Sequence, residues 1–514
     1  MILKTLSVLT GNVFVFLTIY IINEMRIADH DKRQLTSEKG KKHTVSSLKS
    51  QVSLLTLIAI AFLIIAFSPQ THYDYDTDLL PTDFHKDRRE ALRKLLPDSS
   101  VAVFFSNPLC TRSNDVEFDF HQDPNIFYLT GLREPNSLLI LFKEKQQIDT
   151  MFTNEILVVM DRDPKAESWH GRRLGKDGAQ KRLELKSVIT GGSFRSMNVN
   201  WKQYKKVFFF PMESDVRDDP DDPNDLSKLI RKFRIGILKN TNNDSLHLEE
   251  YMSMMRQIKQ PAELVLMRKA ITISGDAHIE LMKALEADMT EYQVQAIVEY
   301  EFKKDGAEAV GYPSICGAGE NSCILHYTTN RKPMEKNNLI VIDAGAEYHG
   351  YSADITRTLP ANGKFTTEQK AIYDIVLEAQ LAGIKECIPG NEFRAPHKAA
   401  VRIIKKRLKE LGIITNDEDY INYFFHGTSH YLGLDVHDAG LFGKLEGGNV
   451  ITVEPGIYIP EGSPCDPKWW NIGIRIEDDV LVTDKLPEVL SGFVPKTTVD
   501  IEKMMLEKSY LNKK

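Results

Sequence analysis

Residues 339–359 read LIVIDAGAEYHGYSADITRTL. Asp343 interrupts a Leu-Ile-Val-Ile strand, and Asp354 opens a second strand beyond a glycine-containing turn. Across a hairpin, that separation brings the two carboxylates to neighbouring cross-strand positions. Burying both without compensation is costly, so a cation explains the pair, and two turn-flanking aspartates are the alternative.

Three further segments of the C-terminal half place acids or histidines among apolar residues. NVITVEPGIYIP, residues 449–460, ends an apolar strand on Glu454, just before Pro455 and Gly456. In IGIRIEDDVLVT, residues 472–483, strand alternation sets Arg475 and Glu477 on one face. These two form either a buried ion pair or a metal carboxylate beside a cation; Asp478 and Asp479 read as turn or solvent face. FFHGTSHYLGLDVHD, residues 424–438, carries His426, His430 and His437, three of the chain's 14 histidines. Neutral imidazole is a common metal ligand, so such a run marks a candidate site. Asp343, Asp354, Glu454 and Glu477 together supply four negative charges, which two divalent cations balance, the arithmetic of a two-metal hydrolase. Hard oxygen donors with one imidazole suit manganese, and zinc or cobalt can also bind.

Around these segments the periodicity predicts an α+β architecture. Helical spacing of Leu266, Ala270, Ile273, Ala277 and Leu281 follows Pro261 and marks a boundary near residue 255. Further helices are predicted at 290–305, from Thr366 and at 394–411, with strands at 339–358, 450–459 and 472–482. Before the boundary, helical patterns alternate with short strands (SVAVFF, NSLLILF, EILVVM, KVFFF), predicting a smaller α/β domain with a mixed sheet.

A chain of 514 residues exceeds one core, so two domains plus extra segments are expected. A net charge of −7 with no long basic run argues against nucleic acid as a partner. The five cysteines show no CxxC pair, which argues against a disulfide framework or a thiolate zinc site. Residues 6–22 and 52–67 are uncharged apolar runs near the shortest length that crosses a bilayer. Seven basic and four acidic residues separate them. If both runs span, the positive-inside rule holds this linker in the cytoplasm and exports the rest. A signal peptide or anchor after a start at Met25 is the rival reading. Either predicts a membrane-anchored or exported catalytic part; the alternative is a cytoplasmic protein in which the runs are core helices.

GENSCILHYTTN (319–330), DAGAEYHGYSADITRT (343–358), HGTSHYLGLDVHD (426–438), TVEPGIYI (452–459) and GIRIEDDVLVT (473–483) occur in an order and spacing that resembles the Xaa-Pro aminopeptidases (aminopeptidase P). These belong to the pita-bread metallopeptidases, with prolidase and methionine aminopeptidase. TRSNDVEFDFHQDPNIFYLTGLREPNSLLIL (111–141) and SWHGRRLG (168–175) resemble the non-catalytic domain of aminopeptidase P. The resemblance covers about 80–500. It implies an aminopeptidase P N-terminal domain over 80–255 and a pita-bread catalytic domain over 256–514; residues 1–75 lie outside it and are read from hydropathy and charge as hydrophobic membrane or signal-anchor segments with a basic linker.

Residue by residue, Asp343 resembles the bidentate ligand of one metal, Asp354 and Glu477 the bridging carboxylates, and His430 and Glu454 the ligands of the other metal. His326 resembles the histidine beside the substrate. His426 and His437 resemble histidines that support the ligands and bind substrate, and Arg475 the cation near the site. The implied activity is release of the first residue from peptides with proline second. Hydroxide bridging two divalent ions, expected to be Mn2+, attacks, and Glu454 shuttles the proton. A homo-oligomer is expected, with membrane association through residues 6–22 and 52–67. Prolidase, which cuts only dipeptides, is the nearer rival, and the N-terminal motifs favour aminopeptidase P over it. A catalytically dead, membrane-tethered binding protein is the other, and the intact ligand set counts against it.

Overall fold

A computed structural model of the chain describes residues 77–212 and 216–512. The two apolar runs, 6–22 and 52–67, lie outside these residues. Among the described residues no helix is long and apolar enough to cross a membrane.

The first part of the described chain is built on a mixed sheet. Its strands are β1 (Ser100–Phe105), β2 (Leu138–Ile148), β3 (Met151–Val159), β4 (Val188–Thr190), β5 (Lys206–Phe209) and β6 (Asn243–Asp244), in the spatial order β4-β3-β2-β1-β5-β6. β1 and β3 each run antiparallel to β2, while the β1/β5, β3/β4 and β5/β6 pairs are parallel. Side chains alternate across the sheet, so β1 feeds two cores at once. Val101 and Val103 point to a cluster shared with Phe194, Leu229 and Phe233. Ala102 and Phe104 point to the opposite cluster, which takes in Phe84 and Leu92 and runs on without a break into Leu266, Met267 and Ala270. The two domains therefore meet through a continuous apolar core.

The second part begins with α1 (Pro261–Ala284) and α2 (Glu291–Lys304). α1 has proline in its first turn and a reciprocal Gln260/Glu263 capping box, a strong start signal because it satisfies donors that a helix end leaves free. Strands β7 (Ile315–Ala318), β8 (Leu339–Asp343) and β9 (Thr356–Pro360) form an antiparallel sheet with β8 central. Helices α3 (Thr367–Ile384, capped by Thr366) and α4 (Ala395–Glu410) follow. β10 (Val450–Val453), β11 (Gly456–Ile459), β12 (Ile472–Arg475) and β13 (Asp478–Leu481) then pair antiparallel as β10/β13 and β11/β12. α3 packs on β10, β11 and β12, and α1 packs on the hairpin that joins β8 to β9. Gly345 at the start of that hairpin is required by close approach, because a Cβ there would lie 1.8 Å from the Ala353 carbonyl oxygen.

Asp478 and Asp479 correct the expectation of a solvent face. Both are fully buried in β13, where Asp478 pairs with Arg357 at 2.8 Å and with Lys496 at 2.5 Å. Strand alternation cannot reveal this, because β13 is covered on both faces and its counter-charges come from elsewhere in the chain.

The same β8–β9 hairpin is also gripped from both sides, by His121 and Asp78 of the preceding chain and by Glu308 of its own part. His121 Nε2 lies 3.0 Å from Glu347, and buried His349 sits between Glu308 and Asp78, 2.9 Å from each. Hydrogen bonding to Glu347 raises the basicity of His121; burial opposes protonation of His349, but hydrogen bonds to Glu308 and Asp78 outweigh it. A raised folded-state value means stabilisation that is complete below the ordinary 6.5 and lost as pH rises through the higher folded value. Wild type is expected to lose more melting temperature than His349→Gln between pH 6 and pH 8 by thermal denaturation. Parallel losses would reject this account.

Candidate metal centre

The local fold carries the four carboxylates into one buried space. Asp343 closes β8 opposite Thr356 of β9, and Asp354 lies two residues before Thr356 on the returning chain. Residues 428–432 run beside β10: Thr452 N–H donates to the His430 carbonyl at 3.0 Å, and Glu454 N–H donates to the Thr428 carbonyl at 2.9 Å. His430 and the strand-end Glu454 therefore face the same space, with His430 Nε2 3.6 Å from Glu454 and 3.3 Å from Asp354. Glu477 enters between β12 and β13, fixed by its N–H to the Thr356 carbonyl at 3.1 Å and by the Thr356 hydroxyl at 2.7 Å. Ligand atoms of Asp354, His430 and Glu477 all lie within 4.8 Å of one another.

The charges in this space are badly balanced. Arg475 is the buried cation among them, and it pairs with Asp343 at 2.7 Å, not with Glu477. Burial and the neighbouring Asp343 push the Asp354 carboxyl well above its usual range, and burial with Asp354 does the same to Glu477. Glu454 is pushed up to about 8 by burial and by the charge of Glu477. The Tyr312 hydroxyl lies 2.6 Å from both Asp343 and Asp354. One hydroxyl has one proton to donate, so the second contact needs a protonated carboxyl. A further positive charge in this space would offset the repulsion among these carboxylates.

The histidines divide by their partners. His430 Nδ1 donates to the Tyr431 carbonyl at 3.0 Å, which fixes the tautomer and leaves Nε2 as a lone-pair donor toward Asp354 and Glu454. His426 uses both nitrogens: Nδ1 donates to the Gly427 carbonyl at 2.7 Å, and Nε2 accepts from the Tyr458 hydroxyl at 3.0 Å. Arg475 donates to that hydroxyl at 2.9 Å, linking His426 to Asp343. Burial first, then Arg475 and neighbouring histidines, hold His426 down to about 3, so it is neutral. His437 is exposed, with its ring centroid 4.4 Å from that of His430. His326 is exposed too, close enough to His426 and His437 that its charge would lower the basicity of both. The three thus line the open side of the carboxylate cluster. Tyr312 and Tyr458 are functional neighbours that sequence reasoning missed; a tyrosine among apolar residues reads as core, and only the fold shows what its hydroxyl meets.

These donors fit divalent metal. Glu477 Oε1 and Asp479 Oδ1 are buried without a hydrogen-bond partner, a cost that a cation relieves at Glu477. Four carboxylates, one oriented imidazole and a single arginine also leave the net negative charge that divalent cations neutralise.

A helix-framed set of antiparallel strands around such a cluster, preceded by a mixed-sheet domain, defines a two-domain metallopeptidase. Residues 265–484 match the Metallopeptidase family M24, and residues 85–208 match the Aminopeptidase P, N-terminal domain. The Xaa-Pro aminopeptidase of Haemophilus influenzae is 35% identical over 438 residues, 83% of this chain and 98% of that protein. The solved structure of Pseudomonas aeruginosa aminopeptidase PepP is similar with a TM-score of 0.76 at 34% identity, covering 84% of this chain and 99% of that one. Aminopeptidase P from E. coli with the inhibitor Pro-Leu follows at 0.75, with 34% identity and coverage of 83% and 99%. The chain belongs to metallopeptidase family M24, in its Xaa-Pro aminopeptidase group.

The comparison corrects the membrane-anchored or exported reading and the transmembrane assignment behind it. The bacterial relative is matched over 98% of its length by 83% of this chain, so the shared architecture needs no membrane segment. Among the described residues even the 24-residue α1 buries Glu263, Ser274 and His278 and exposes charged residues, the pattern of a helix on a protein core.

A ligand that binds only the folded state stabilises by RT ln(1 + [L]/Kd), about 2.7 kcal/mol at a hundredfold excess over Kd. Chelator-stripped protein is therefore expected to gain several degrees of melting temperature on adding Mn2+, and Glu477→Gln to lose most of that gain. An equal gain in the variant would place the ion elsewhere.

Proposed function

We propose that this protein is a metal-dependent aminopeptidase that hydrolyses the bond between an N-terminal residue and a following proline. The observation that carries the reading is the buried cluster of Asp343, Asp354, Glu454, Glu477 and His430, faced from its open side by His326, His426 and His437. Asp343 is assigned to one metal, His430 and Glu454 to the other, and Asp354 and Glu477 to both. Manganese is assigned on the mainly oxygen donor set. When bound, two divalent ions make water acidic enough to serve as hydroxide at neutral pH and polarise the scissile carbonyl.

The remaining work falls to this chain. The nitrogen of an Xaa-Pro bond is tertiary, so it must be protonated before it leaves. Glu454 is the residue to carry that proton: its N–H is fixed to Thr428, and its carboxylate reaches His430 at 3.6 Å and His426 at 3.8 Å. His326 and His437, both exposed at the mouth, are assigned to hydrogen-bond the substrate and the developing oxyanion. His426, saturated by Gly427 and Tyr458, is a support for the site, and Arg475 holds Asp343 in place.

The boundaries proposed are an N-terminal domain over 80–255 and a catalytic domain over 256–514; a homo-oligomer is also proposed. The match to an aminopeptidase P N-terminal domain favours this specificity over that of a dipeptidase.

Three variants separate the roles. His430→Ala is expected to lose metal, whereas His437→Ala keeps metal and loses turnover, as read by metal content and steady-state kinetics. Glu454→Gln is expected to retain the fold and lose at least about 100-fold in kcat, the scale of a general acid–base group; full activity in that variant refutes the mechanism. A tripeptide Xaa-Pro-Yaa is expected to be cleaved much faster than the dipeptide Xaa-Pro. The reverse preference would make the enzyme a prolidase.

A further inference from the structure

His326 stands on an exposed arch between β7 and β8 that has no strand pairing of its own along residues 324–332. A histidine that must meet a substrate at a fixed place cannot depend on such a backbone unless something restrains it. The base of the arch is anchored where the Ser322 hydroxyl accepts from Gly473 N–H of β12 at 3.0 Å. Contact there is so close that a Cβ on Gly473 would lie 2.1 Å from the Ser322 carbonyl oxygen.

Near its far end buried Asn330 accepts from Cys316 N–H at 3.0 Å and donates to the Ser314 carbonyl at 2.8 Å and to Gln295 at 3.0 Å, and both flanks of His326 are gathered on one carboxylate. Glu291, the first residue of α2, is fully buried and forms no salt bridge among the described residues. One of its oxygens accepts from Ala318 N–H and from the Asn321 amide, both at 2.9 Å. The other accepts from the Tyr327 hydroxyl at 2.8 Å and from Lys332 N–H at 2.7 Å. The four donors lie before and after His326, and Tyr327 is its immediate neighbour. A carboxylate is an acceptor at both oxygens, so it can satisfy all four at once, and its charge is favoured at a helix N-terminus. No amide or hydroxyl of similar size offers four acceptor positions.

We infer that Glu291 is a positioning residue for the reaction: it closes the arch 318–332 on a single buried carboxylate and so holds His326 at the mouth of the metal centre. The hydrogen-bond partners of the Glu291 carboxylate, Ala318, Asn321, Tyr327 and Lys332, include none of the residues assigned to metal. This inference rests on the reading of His326 as a substrate-binding group. It predicts that damage at Glu291 is felt through His326 and leaves the metal centre intact.

The test is a double-mutant cycle on the full, manganese-loaded chain, with a tripeptide Xaa-Pro-Yaa as substrate and metal content measured on every variant. Glu291→Gln keeps the size of the side chain but turns an NH2 group toward donors. It is expected to retain the metal content of wild type and to lose about 100-fold in kcat/KM, the cost of misplacing a reacting group by about 1 Å. Glu291→Asp keeps both acceptors on a shorter stem and is expected to recover part of that loss. Combining Glu291→Gln with His326→Ala is expected to be no slower than His326→Ala alone, because two steps acting through one group are not additive. Multiplying losses, or loss of metal in Glu291→Gln, would overturn the inference and leave Glu291 a general fold residue. Normal kcat/KM in Glu291→Gln beside a slow His326→Ala would overturn it alone, whereas an unimpaired His326→Ala would remove the substrate role of His326 and the inference with it.

Discussion

The structure depends on how it tolerates four carboxylates in one buried space. Asp343, Asp354, Glu454 and Glu477 converge from strand ends and from the turn leading into β9, and Arg475 among them is occupied by Asp343. Burial and the neighbouring carboxylates push Asp354, Glu454 and Glu477 all upward. Nothing in a protein core stabilises such a group by itself. The strands, the oriented His430 and the shared Tyr312 proton form a frame whose charge is completed by divalent ions.

The tripeptide Glu477-Asp478-Asp479 shows how finely the fold separates adjacent acids. All three are buried. Burial opposes ionisation of Asp478, but Arg357 and Lys496 outweigh it and hold it well below the usual carboxylate range. Burial and the charge of Asp354 raise Asp479, and Asp354 in turn donates its N–H to Asp479 at 3.2 Å. One acid is thus a fully paired structural anion, one supports the backbone of a ligand, and one faces the metal space. The distinction lies in partners more than 100 positions away along the chain for Arg357 and Asp354, out of reach of any local pattern.

That contrast also marks what was legible in the sequence. Asp343 and Asp354 could be read because a carboxylate in an apolar hairpin violates a local rule, and the start of α1 because Pro261 and its capping box are local signals. The mixed order of the first sheet follows from alternating elements of both kinds. Tyr312 and Tyr458 could not be read, since a buried phenol obeys the same apolar pattern whether or not its hydroxyl meets a ligand. Nor could the pairing of Arg475: alternation put it beside Glu477, whereas the β11/β12 ladder, with Gly456 opposite it, turns it to Asp343 and Tyr458. Residues 6–22 and 52–67 misled for a related reason: length and hydropathy describe what a segment can enter, while the shared fold closes its core without them.

A division of labour follows between strands and loops. Groups assigned to metal sit at strand ends or on a segment laddered to a strand, where backbone hydrogen bonds fix them. The exposed histidines His326 and His437 sit on loops, where conformational freedom must be removed by other means. In both cases the restraint is a buried charge. Glu291 gathers four donors of the His326 arch, and Asp438, adjacent to His437, is buried and clamped by Arg256 and by Lys259 at 2.5 Å. Arg256 also donates to Asn125 of the first domain at 3.0 Å. A buried ion loses far more than a neutral group when its partners leave, so each loop is held by an interaction whose rupture is steeply unfavourable. The N-terminal domain therefore reaches the mouth of the site through Asn125, Arg256 and Asp438, a route by which a domain without ligands constrains where substrate can lie.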